Sequence, residues 1–79
     1  MPRYHFHVHD GTGVAEDEEG RELADLDAAR VEALKGARSL IAEEALAGRI
    51  DMGSRIEVTD GTAEVVLTVR FADAVTILH

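Results

Sequence analysis

The sequence predicts an α+β domain: one long amphipathic helix packed on one face of a three- to five-stranded, mostly antiparallel sheet, in the order β-(β)-α-β-β-(β). Three observations carry this. Residues 3–9 alternate aromatic or β-branched residues with polar ones, the period-two signature of a half-buried strand. Residues 26–47 are rich in Ala, Leu, Glu and Arg and follow an aspartate suited to capping a helix. Asp60-Gly61-Thr62 then separates two further alternating runs, as hairpin turn chemistry does.

In the first strand, Tyr4, Phe6 and Val8 point one way and His5, His7 and His9 the other. The apolar set must meet the helix, so the imidazoles are expected on the opposite, uncovered face. Asp10-Gly11-Thr12-Gly13 ends the strand with turn residues. Val14 to Asp17 fits an optional short strand closing a hairpin, and Gly20 breaks the segment again.

Asp25 reads as the helix N-cap, with Asp27 in the first turn, where carboxylates suit the helix dipole. At 100° per residue, Leu26, Ala33, Leu34, Ala37, Leu40 and Ile41 share the core-facing side, and Glu32, Lys35, Ser39 and Glu43 the other. Gly48 and Arg49 supply the stop. Such a helix is ~33 Å long against ~20 Å for a six-residue strand, so its end near Leu46 is expected to overhang the sheet. Gly53-Ser54 leads into Arg55 to Thr59, with Ile56 and Val58 on one face. Ala63 to Phe71 is read as the longest strand, with Val65, Leu67, Val69 and Phe71 inward and Glu64, Val66, Thr68 and Arg70 outward. Ala72-Asp73-Ala74 interrupts it, and Val75 to Leu78 is apolar enough for a last short strand.

Length and composition bound the rest. A chain of 79 residues, with 46% hydrophobic and 30% charged residues, fits a single domain over residues 1–79. At that size the core is thin and a partner would help it. The chain has no cysteine, so neither disulfides nor a Cys₂His₂ zinc site can staple it. No apolar run reaches the ~20 residues of a membrane span, and the start Met1-Pro2-Arg3-Tyr4 offers no signal-peptide core. The expectation is a cytoplasmic protein that does not engage membrane. Net charge is −8. Between Asp10 and Asp27 eight carboxylates face Arg21 alone, which leaves −7 of the total in that stretch. Such a surface repels phosphate, so nucleic acid is not expected as a partner. Glu16, Asp17, Glu18 and Glu19 form instead a candidate surface for a basic protein, weighed against a solvated loop that aids solubility.

Chemistry-bearing motifs are sparse. His5, His7 and His9 recur every second residue on one strand face, ~7 Å apart, and mark the candidate open-sheet surface. Two of them could share a zinc ion only with a further ligand, for which His79 or Glu57 is available in the sequence, and no metal or other cofactor is expected. Gly11-Thr12-Gly13 lacks the third glycine of a dinucleotide loop, because Glu16 stands there, and no Lys-Ser/Thr pair follows. The calcium-loop pattern fails at Val14 and Ala15. Only Ser39 and Ser54 offer hydroxyls of the serine type, one on the polar side of the helix and one in a turn, with no base arranged beside either. The expectation is a protein without catalysis.

The opening Met1-Pro2-Arg3-Tyr4-His5-Phe6-His7-Val8-His9-Asp10-Gly11, the run Asp17-Glu18-Glu19-Gly20-Arg21-Glu22-Leu23, the helix entry Asp25-Leu26-Asp27-Ala28-Ala29-Arg30, and the closing Arg55-Ile56-Glu57-Val58-Thr59-Asp60 and Val69-Arg70-Phe71-Ala72-Asp73-Ala74-Val75 resemble a family of short bacterial proteins of unknown function. The resemblance covers nearly the whole chain and implies no activity, cofactor or partner. By it, position 5 is more often aromatic, so part of the histidine row is peculiar to this sequence. A weaker similarity is to antitoxin halves of bacterial toxin–antitoxin pairs, which have a strand-rich start followed by one helix; the two strands after the helix depart from that outline. The functional expectation is a small non-catalytic interaction or regulatory module that forms a homo-oligomer. Its spare apolar residues Leu46, Ile50 and Met52 motivate this. The alternative is an acidic, antitoxin-like partner that neutralises a basic protein.

Overall fold

The computed structural model describes residues 1–78. Its elements are β1 (Arg3–Asp10), β2 (Gly13–Ala15), β3 (Arg21–Glu22), α1 (Leu26–Leu46), β4 (Arg55–Thr59), β5 (Val65–Arg70) and the one-turn α2 (Phe71–Ala74). The α+β architecture is as the sequence predicts: α1 packs on a five-stranded antiparallel sheet ordered β2-β1-β4-β5. β3 pairs with the start of β1, and β2 with its end. Both occupy the same edge of β1. The stretch between them is joined to that edge by side-chain hydrogen bonds instead of a strand ladder. β3 is not anticipated in the sequence, and β2 lies one residue earlier and is one residue shorter than the Val14–Asp17 expectation.

Cap chemistry sets the helix bounds. Asp25 is extended, and its Oδ1 accepts the Ala28 N–H at 2.9 Å. At the far end Gly48 takes φ +86, its N–H donates to the Ala45 carbonyl, and the Arg49 N–H donates to the Glu44 carbonyl. This paired closure needs a residue that tolerates the left-handed region, which glycine does. Within α1, Ala29, Ala33 and Ala37 are fully buried at i, i+4 spacing, so the backbone approaches the sheet closely. Leu26, expected in the apolar stripe, is instead 40% exposed; burial begins one turn later, at Ala29. The core gathers these alanines with Tyr4, Ile56, Val58, Leu67, Val69, Phe71 and Ala74. α1 lies over β4 and β5 and against α2, and its backbone makes little approach to β1.

The second hairpin departs from simple alternation. Val58 pairs with Leu67 but Thr59 pairs with Val65, so Val66 is the extra residue of a β-bulge. The bulge exchanges the faces expected for two residues. Val66 packs against the core, whereas Val65 joins Thr59 on the uncovered face and is 52% exposed. Leu67 and Val69 point inward as expected.

Among the described residues no strand forms after β5. Phe71 donates its N–H to the Ser54 carbonyl at 3.0 Å and buries its ring, and the chain then turns into α2. The Arg38 guanidinium donates from Nε to the Ala74 carbonyl at 2.7 Å, holding that turn against α1. Residues 75–78, expected as a last strand, carry no regular structure.

Candidate functional site

The uncovered face of the sheet is built by register. His5 pairs with Thr59, His7 with Glu57 and His9 with Arg55, so all six side chains share that face. Tyr4, Phe6 and Val8 take the helix side and join the core. The orientation of β1 is therefore the one its alternation predicts. The imidazoles are not fully exposed, however; each is half-buried among its neighbours. The His5 and His7 rings lie 6.1 Å apart and are nearly parallel. His7 Nε2 is 3.1 Å from the Thr59 hydroxyl. His9 Nε2 is 3.1 Å from Glu57 Oε1, while Arg55 Nε donates to Glu57 Oε2 at 2.9 Å. The Arg55 hydrogen bond holds the Glu57 carboxyl below the usual carboxylate range, against a desolvation that pushes upward, with His9 adding to the lowering. Among the described residues no three His, Asp, Glu or Cys side chains are disposed to hold a metal ion. His79 lies outside the described residues.

The acidic stretch has a different role at each position. Glu16, Glu18 and Glu19 are exposed, but Asp17 is not free. Its Oδ2 accepts the Phe6 N–H at 3.1 Å and its Oδ1 accepts the Gly20 N–H at 3.0 Å. Its own N–H donates to His7 Nδ1 at 3.1 Å, and its carbonyl accepts from His5 Nδ1 at 2.8 Å. All the polar groups of this residue are engaged, and it fills the place of a missing strand residue on the edge of β1. With Asp17 N–H donating to His7 Nδ1, neutral His7 carries its proton on Nε2 and donates to Thr59. Burial works to raise the Asp17 pKa, but the N–H groups of Gly20 and Phe6 together with nearby His5 outweigh it and hold the carboxyl low. Arg3 secures the same loop by donating to the Glu19 carbonyl at 2.7 Å.

Sequence reasoning grouped Asp17 with its acidic neighbours and missed the clasp. The available signal was Asp17-x-x-Gly20, an aspartate able to accept the N–H of a glycine that can adopt φ > 0. Gly20 has φ +71, and a Cβ there would sit 2.8 Å from the Tyr4 carbonyl oxygen. Gly20→Ala is therefore expected to cost at least about 2 kcal/mol, from left-handed strain plus a backbone clash. Thermal unfolding of this variant should fall by roughly 10 °C, on the scale for small domains; an unchanged midpoint would contradict the packed loop.

A third feature lies on the helix side. Because α1 sits off-centre, β1 is incompletely covered and Phe6 remains half-buried. A cleft of about 460 Å³ opens between α1 and the acidic loop, floored by Phe6, Ile56, Ala33 and Gly36. Arg21 of β3 and Glu32 of α1 form an ion pair at its rim. Lys35, also on the rim, is 69% exposed and only 3.9 Å from Glu32 at its nearest. Toward the C-terminal end of α1 and just after it, Leu46 stands 91% exposed and Ile50 46% exposed, with Met52 half-buried. No helix of the described residues is long and apolar enough to cross a membrane.

Compared with known protein families, the chain matches the model for a domain of unknown function, DUF6894, over residues 3–72. No curated protein and no solved structure matches the chain.

Proposed function

We propose that this chain, which belongs to the DUF6894 family of domains of unknown function, is a non-catalytic interaction module that acts as a homo-oligomer. The carrying observation is that its apolar surface is left uncovered in two complementary forms. Leu46 protrudes at 91% exposure, and a cleft in which Phe6 remains half-buried lies beside the same helix. Burying a Leu side chain is worth ~1.5–3 kcal/mol, and a standard interface takes ~800 Å² from each partner. That is about a seventh of the 5424 Å² surface of this domain.

The uncovered sheet face supports the same reading. Its polar groups are bonded to one another, with Glu57 shared by Arg55 and His9 and His7 tied to Thr59, and they converge on no shared point where a substrate could be held. Association couples to stability by mass action, so the unfolding midpoint of an oligomer rises with concentration. The wild-type midpoint is expected to rise by several degrees between about 1 and 100 μM chain. Leu46→Glu should abolish that rise while leaving the low-concentration midpoint unchanged, since the side chain contributes nothing to the isolated core. A concentration-independent wild-type midpoint counts against self-association.

A second reading is favoured by the exposure of Glu16, Glu18 and Glu19 together: an acidic surface for a basic protein, antitoxin-like in its role. Neutralising these three, with Asp17 left intact to preserve the fold, separates the readings. Loss of a basic partner in pull-down supports the second; recovery of the same proteins leaves the loop as a solubility feature.

A further inference from the structure

We infer that the cleft beside α1 is the receptor for Leu46 of a second copy of this chain, in an antiparallel α1–α1 contact about a two-fold axis near Ser39. This rests on the self-association proposed above and specifies its surface. At 100° per residue, Glu32, Lys35, Ser39, Glu43 and Leu46 fall within a sector of about 80°. They therefore form one ridge of the helix, and this ridge borders the cleft through Glu32, Lys35 and Ser39.

Antiparallel pairing of that ridge with itself about Ser39 sets Lys35 opposite Glu43 of the second copy, and Glu43 opposite Lys35. It also brings Leu46 level with Glu32 of the other copy, where the cleft is floored by Ala33, Gly36 and Phe6. Three properties of the surface agree with this occupant. The charges complement one another: Lys35 and Glu43 are both exposed, and within its own chain Lys35 reaches Glu32 at 3.9 Å. The crossing point is a serine, small enough to let two helices approach. The apolar knob and the cleft that holds half-buried Phe6 lie at matching distances from the crossing, seven residues to either side, or about 10 Å. A two-fold contact is self-complementary by construction, so each protomer gives one Leu46 and receives one.

The absence of cysteine makes the geometry directly readable. Ser39→Cys is expected to yield a disulfide-linked dimer under mild oxidation at low micromolar concentration, because only residues at the axis meet their own copies. Thr68→Cys, on the opposite face of the domain, serves as the control and should remain uncrosslinked. In parallel, Lys35→Glu and Glu43→Lys should each weaken association about tenfold, and the double variant should restore it to within about threefold, since the swapped charges again face each other. If the wild type associates but Ser39→Cys does not cross-link and the double variant shows no restoration, this surface is wrong while self-association stands. If the wild type is monomeric at every concentration, both are overturned.

Discussion

Asp17→Ala is expected to lower the unfolding midpoint at neutral pH by about 10–20 °C, a cost of about 2–3 kcal/mol. The carboxylate accepts two backbone N–H groups, from Phe6 on a central strand and from Gly20 at the loop turn. Hydrogen bonds to a charged acceptor contribute ~1.5–3 kcal/mol each; the loop is partly wet, which places the sum toward the lower end. Truncation leaves the edge of β1 unpaired where no strand covers it and frees the loop that separates β2 from β3.

The sign of the pH dependence follows from the lowered carboxyl pKa. Its contribution is fully present above the ordinary aspartate range and is lost as pH falls through the folded-state value, below pH ~4. The difference in midpoint between wild type and Asp17→Ala should therefore shrink toward zero on acidification from pH 7 to below the folded-state value. A gap that is the same at both pH values would mean that the residue acts through something other than its charge. Asp17→Asn should recover less than half of the loss, because its amide group must face an N–H donor at one of the two positions.

Phe71→Ala is expected to cost about 3–5 kcal/mol. Phe71 is 1% exposed and is the largest fully buried side chain. It closes the core where β5 turns into α2, and its backbone N–H ties that turn to Ser54. A domain of this length has a total stability of roughly 4–12 kcal/mol, so the variant should lose much of its cooperative transition at 37 °C. Phe71→Leu, which retains most of the volume, should cost less than half as much. Urea unfolding at 25 °C measures both; similar midpoints for Phe71→Ala and wild type would contradict the central place given to this ring.

The fold was legible in the sequence wherever local periodicity and burial agree. β1 shows its faces by strict alternation, and α1 is bounded within one residue by Asp25 and by the glycine at 48 that closes it. Features that depend on how elements meet were not legible. The bulge at Val66 arises from the register of β4 against β5, so Val65 and Val66 were assigned to each other's faces. The last apolar segment reads as a strand, yet Phe71 enters the core and Arg38 holds Ala74, which turns the chain away from the sheet. Asp17 looks like one carboxylate among four until β2 and β3 leave a gap that only an acceptor can fill. The cleft is invisible to any one-dimensional pattern, because it results from α1 lying over β4 and β5 and covering β1 only in part. The protruding Leu46, by contrast, follows from helix periodicity, which sets it on the outer side of α1 with Glu32, Lys35, Ser39 and Glu43.

These features divide the molecule by task. The acidic loop and the histidine face stabilise β1 through Asp17, while the surface proposed for a second copy is the outer ridge of α1 with its cleft and its protruding leucine. The most direct measurement of that division is the mass of the native chain in solution by sedimentation equilibrium at tens of micromolar. The protomer is 8.5 kDa. The expected result is a mass near twice this value, returning to the protomer mass in Leu46→Glu; a wild-type chain that sediments as a single protomer throughout would contradict the account.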